Sequence, residues 1–96
     1  MDMHEKQIEQ KLVKYVTDLG GWALKLSSPG TSGLPDRLLL MPGGIMAFVE
    51  VKAPGKKPRA LQQVQMRRLK QLGFHVFVLD DARQIESILD VVSHAA

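Results

Sequence analysis

Two apolar runs of strand length, Leu38-Leu39-Leu40-Met41 and Ile45-Met46-Ala47-Phe48-Val49, are separated by Pro42-Gly43-Gly44. Apolar runs on either side of a Pro-Gly-Gly turn signal a β-hairpin. Gly33-Leu34-Pro35-Asp36-Arg37 precedes the first run, and Glu50-Val51-Lys52 closes the second. Folding back at the turn brings the two outer ends together. Asp36 and Glu50 are therefore expected to be neighbours in space although far apart in sequence. Glu50 and Lys52 are two apart on a strand, so both side chains leave the same face. Two carboxylates and one amine then converge at the end of an otherwise apolar sheet. Nearby carboxylates repel, and one is easily pushed to a raised pKa. A hard divalent cation removes that conflict, and carboxylate oxygens suit Mg²⁺ or Mn²⁺. Lys52 could then hold a phosphate oxygen or an attacking water. Any one of these charges would pass as a solvated strand end; the set points to a metal site.

The rest of the chain frames this hairpin. Residues 3–19 read as a helix, because Ile8, Leu12, Tyr15, Val16 and Leu19 follow the helical period and Gly20-Gly21 supplies the stop. At 100° per residue, Glu5 falls roughly 35° from the centre of that apolar stripe and Glu9 roughly 75°. Glu5 therefore extends the buried-facing side and Glu9 lies on its flank, though a first-turn acid is also what the helix macrodipole favours. Residues 22–26 read as a strand, with Lys25 pointing away from Leu24 and Leu26 as a solvated residue or a phosphate contact. The loop from Ser27 to Gly33 is rich in small residues and lets backbone approach a ligand. After the hairpin, Lys52, Lys56, Lys57 and Arg59 put four positive charges within eight positions. Contact with DNA phosphates explains that placement better than a merely solvated loop does. No aromatic residues are interleaved, so base stacking is not suggested.

Residues 60–72 read as a second helix with Leu61, Val64, Leu69 and Leu72 as its core face. Periodicity puts Gln65 nearest to that face, while Gln62 in the first turn can reach the sheet end where Glu50 sits. Residues 74–79 form a further strand, parallel to the one before the helix, and His75 on it reads as structural. Asp80-Asp81 caps a last helix that buries Ile85, Ile88, Leu89 and Val92. The expected architecture is α/β, a small mixed β-sheet flanked by helices in αβββαβα order.

Length allows one domain over residues 1–96. With no cysteine, disulfides and Cys-based zinc sites are excluded. No apolar run approaches the ~20 residues of a membrane span, and the polar first residues are no signal peptide, so a cytoplasmic protein without a membrane partner is expected. A net charge of +3 permits a polyanionic partner.

Gly33-Leu34-Pro35-Asp36 followed by Phe48-Val49-Glu50-Val51-Lys52 resembles the metal-dependent nucleases with a PD-(D/E)xK core. Within them it resembles the stand-alone VRR-NUC domain of phages and bacteria. The resemblance runs from about Glu5 to the last helix. It implies a restriction-endonuclease-like core and an endonuclease that hydrolyses DNA with Mg²⁺ or Mn²⁺. Asp36, Glu50 and the Val51 carbonyl would be metal ligands, joined by Glu5 directly or through water. Lys52 would be catalytic, and Gln62 would orient it or the water. The family's pattern on the first helix fits Glu5-Lys6-Gln7-Ile8-Glu9, which favours Glu5 with Glu9 as second choice, and its glutamine position favours Gln62 over Gln65. Lys25, Lys56, Lys57 and Arg59 are the candidate DNA contacts. Stand-alone members resemble Holliday-junction resolvases, so a homodimer acting on four-way junctions is expected. The alternatives are a nuclease-like module that grips DNA without cutting, and a small structural protein with charged strand ends.

Overall fold

The computed structural model describes residues 3–94. Four strands form one sheet in chain order: β1 (Trp22–Lys25), β2 (Arg37–Met41), β3 (Ile45–Val51) and β4 (His75–Leu79). β1 and β2 pair antiparallel, as do β2 and β3, and β4 lies parallel to β3. That last pairing needs a crossover, which α2 (Ala60–Gln71) supplies. Helices α1 (Met3–Asp18) and α3 (Ile85–His94) complete the expected order, with a 3-10 turn over Ala82–Gln84 leading into α3. None of the described helices is long and apolar enough to cross a membrane.

The hairpin closes as its sequence dictates. Pro42 precedes Gly43, whose φ is +88°, and the Gly44 N–H donates to the Met41 carbonyl at 3.2 Å. Proline then a positive-φ glycine at the centre of such a turn is the type II arrangement. It sets Met41 opposite Ile45 and Arg37 opposite Val49. One step further out, Asp36 stands opposite Glu50.

The sheet's two faces are used differently. Ala23, Leu39, Met41, Ala47, Val49, Val51 and Leu79 pack with Ile8, Leu12 and Val16 of α1 and Ile85, Ile88, Leu89 and Val92 of α3 into one buried core. On the other face α2 packs near β4, where Phe74 meets Phe48 edge to face at 5.7 Å between ring centroids. Leu24, Leu38, Leu40 and Met46 on this face are only half-buried, and Trp22 is 61% exposed.

Two sequence expectations change. The core side of β1 is the side of Ala23, so Lys25 lies on the α1 side of the sheet's end and Trp22 and Leu24 on the open face. Helix α2 turns Gln62 and Met66 inward and leaves Leu61, Val64 and Leu72 exposed. The reason is polar: Glu50 is 1% exposed and needs a buried partner, and Gln62 is that partner.

Candidate active site

Asp36 leads into β2 behind a buried Pro35. Its Oδ2 accepts the Val51 N–H at 3.0 Å, which ties it to the outer end of β3. Glu50 sits opposite. Its Oε2 accepts Gln62 Nε2 at 2.9 Å and pairs with Lys52 Nζ at 3.2 Å. The Oε1 of Glu50 is buried without a hydrogen-bond partner. Gln62 is itself fixed, since its Oε1 accepts the Arg59 N–H at 2.9 Å as α2 begins. The first turn of α2 thus orients the amide that orients the carboxylate.

The electrostatics of the pair follow from this packing. Burial pushes both carboxyls above their usual range. Each is opposed in part by donors and cations: the Val51 N–H, Lys52 and Lys25 at Asp36, and Lys52 at Glu50. Negative neighbours add to the rise, with Asp36 acting on Glu50 and Glu9 of α1 acting on Asp36. Two desolvated hard-oxygen donors side by side, one with an unpartnered buried oxygen, fit a divalent cation that removes the repulsion. Among the described residues no third His, Asp or Glu joins them closely enough to make a three-carboxylate site.

The expected residues are therefore gathered in part. Asp36, Glu50, Lys52 and Gln62 meet directly, and Val51 contributes its N–H to Asp36. Gln65 instead donates to the Ser32 carbonyl at 3.2 Å and holds the small-residue loop. Glu5 is half-buried, one helical turn before Glu9. Glu9 pairs with Arg37 at 3.3 Å, and its charge reaches Asp36. Arg37 was not singled out in the sequence. Its place beside Asp36 was the available signal, but its partner comes from another element. Lys25 ends β1 close enough to act on Asp36, and Lys56, Lys57 and Arg59 are exposed on the loop before α2.

Positive charge continues beyond that loop. From Val51 to Gly73 the chain holds seven of its thirteen Lys and Arg and none of its ten Asp and Glu. Arg67, Arg68 and Lys70 are exposed on α2. A groove of about 620 Å³ lies elsewhere, between α1, Pro54 and Asp81. Asp36 and Glu50 do not line that groove.

No family model matches the chain. A curated protein of Acyrthosiphon pisum secondary endosymbiont phage 1, described as "Putative nuclease p44", is 46% identical over 91 residues, which cover 95% of this chain and 97% of that protein. A solved structure described as "VRR_NUC domain" superposes with a TM-score of 0.86 at 31% identity, covering 99% of this chain and 100% of its own.

Proposed function

The chain belongs to the VRR-NUC family of nucleases, and from that premise we propose that it is a divalent-metal-dependent endonuclease that hydrolyses DNA phosphodiester bonds. The observation that carries the proposal is the Asp36–Glu50 pair, two desolvated carboxylates with Lys52 and Gln62 both bound to one oxygen of Glu50. Asp36 and Glu50 would hold Mg²⁺ or Mn²⁺, with the Val51 carbonyl as a further ligand and an α1 carboxylate, Glu5 or Glu9, acting through water. The chemistry a bound divalent cation supplies is a lowered pKa for water and neutralisation of charge at the scissile phosphate.

The protein's own groups do the rest. The Val51 N–H engages Oδ2 of Asp36, so Oδ1 is the oxygen that Asp36 offers. Gln62 and Lys52 engage Oε2 of Glu50, so Oε1 is the oxygen that Glu50 offers. Both carboxylates are thus pre-oriented before any ligand arrives. The Lys52 ammonium, held beside Glu50, places a positive charge where a phosphate oxygen or the attacking water would sit. Lys25, Lys56, Lys57 and Arg59 would bind the flanking phosphates, and the exposed cations of α2 extend that path. None of these groups reads base edges, so the substrate would be selected by shape.

We propose further that the protein works as a homodimer on a four-way junction. One chain carries one such site, and resolving a junction takes two symmetry-related cuts. The open sheet face around Trp22, Leu24 and Leu40 is apolar surface that a second copy would cover.

The test is a cleavage assay on labelled duplex and junction DNA. Mg²⁺ or Mn²⁺ should support cutting, EDTA should stop it, and Ca²⁺ should allow binding with little cutting. Asp36→Ala or Glu50→Ala should lower the rate by about a thousandfold or more, equivalent to the several kcal/mol of metal catalysis, while DNA binding persists. Cutting by Glu50→Ala near the wild-type rate would defeat the site assignment. Binding without cutting by the wild type would favour the non-cleaving module.

A further inference from the structure

The Arg37–Glu9 contact is not explained by the roles assigned so far. Both side chains are well buried, at 15% and 12% exposure, and their closest atoms are 3.3 Å apart. Arg37 Nη1 also donates to the Ala23 carbonyl of β1 at 3.0 Å. Yet the pair is incompletely satisfied, because Arg37 Nε and Glu9 Oε2 are buried with no hydrogen-bond partner. A buried ion pair with spare polar atoms is a poor stabilising device. Desolvation offsets much of its attraction, and apolar residues of similar volume often serve stability as well or better. Buried unsatisfied groups in a folded protein ask for another explanation, an ion or a functional role among them.

Position supplies that explanation. Arg37 follows Asp36 directly and opens β2. Through one guanidinium it connects α1, β1 and β2 at the end of the sheet that carries the carboxylates. Glu9, held by Arg37, is close enough for its charge to act on Asp36.

We propose that Arg37 is a positioning residue of the cation site, fixing the Glu9 carboxylate and the start of β2 at the sheet end that carries Asp36 and Glu50. The proposal rests on the divalent-cation reading given above. Its planar fork suits the task, because one group reaches a carbonyl and a carboxylate at fixed angles. Groups that orient a metal site from outside typically change metal affinity by about 10–100-fold when removed.

The sign of the effect separates this role from two simpler ones. If Arg37 only stabilises the fold, its loss lowers the melting temperature and leaves cation affinity unchanged. If it acts only as a nearby positive charge, its loss tightens cation binding. A positioning role predicts weaker binding. Calorimetric titration of the DNA-free protein with Mn²⁺ measures this, with the Mn²⁺-induced rise in melting temperature as a second readout. The expected result is a dissociation constant raised roughly 10–100-fold in Arg37→Met. Arg37→Lys, which keeps the charge but not the fork, should fall between Arg37→Met and wild type. Glu9→Gln should also weaken binding, and adding Arg37→Met to it should cost little more, because the two residues act as one unit. If Arg37→Met does not fold, Arg37→Lys and Glu9→Gln carry the same comparison. Unchanged or tighter Mn²⁺ binding in the Arg37 variants that fold overturns the proposal and leaves the cation reading intact. Absence of Mn²⁺ binding by the wild type overturns both.

Discussion

At the scale of residues, the site is a local conflict that the fold maintains. Burial first, and then repulsion between neighbouring carboxylates, raises both Asp36 and Glu50 above their ordinary values of 3.8 and 4.5. An acid whose pKa is higher in the folded state binds protons more tightly there than when unfolded. Its contribution to stability is therefore present at low pH and lost as pH rises through the raised value. Asp81 runs the other way, lowered to about 2 chiefly by its hydrogen bonds with Arg83, so a whole-protein profile mixes signs. The difference between Glu50→Gln and wild type isolates the site. In EDTA, chemical denaturation from pH 4 upward should show the variant gaining on the wild type as pH rises, and added Mg²⁺ should reverse the gain. A difference independent of pH would mean that Glu50 carries no such burden. The meeting of Asp36 and Glu50 was legible in the sequence because hairpin register follows from turn length and strand period. The Arg37–Glu9 contact was not, because nothing in a strand's sequence says which helix residue will cross its end.

At the scale of elements, α2 shows where periodicity misleads. Leu61, Val64 and Leu72 mark an apolar stripe, yet they are about half or more exposed. The helix is rotated by its polar contacts: Gln62 to Glu50, and Gln65 to the loop at Ser32. Hydrophobic period reports how much apolar surface a helix has, and here a buried carboxylate decides which side faces in. The loop before β2 is fitted to that rotation. A Cβ on Gly33 would come within 2.8 Å of Leu61 Cγ and 3.2 Å of the Leu61 backbone, and Gly33 has a φ of +85°. Gly33→Ala should therefore cost about 1–2 kcal/mol for the left-handed backbone alone. It should also push α2 from the site, so cleavage should fall more than stability does. Denaturant melts compared with single-turnover rates check this, and a variant of unchanged rate and stability would show that the contact yields freely. The order of elements and the mixed sheet were readable from strand and helix periods, whereas the facing of β1 and α2 depended on contacts between elements.

At the scale of the whole molecule, two surfaces remain to be used. One is the apolar sheet face with Trp22, Leu24 and Leu40. If a second copy covers it, sedimentation should find a dimer, and Leu40→Lys should yield a folded monomer that loses preference for a four-way junction over linear duplex. A wild-type monomer that cuts both equally would leave the nuclease chemistry standing and remove the junction reading. The other surface is the run from Val51 to Gly73, which holds cations and no acid, while the remainder of the chain is net acidic. Such a body is an electrical dipole, and on the proposed function its meeting with DNA would not be a blind collision. A protein drifting in with its acidic side forward would be turned about by the field before it touches. The angular search would be partly completed in solution, and steering of this kind speeds association by about 10–10³-fold at low ionic strength. Stopped-flow association of the Lys56→Ala/Lys57→Ala/Arg59→Ala variant should be slower and less sensitive to salt than wild type. An unchanged salt dependence would place that loop off the approach path, and would leave α2 to turn the molecule toward its substrate.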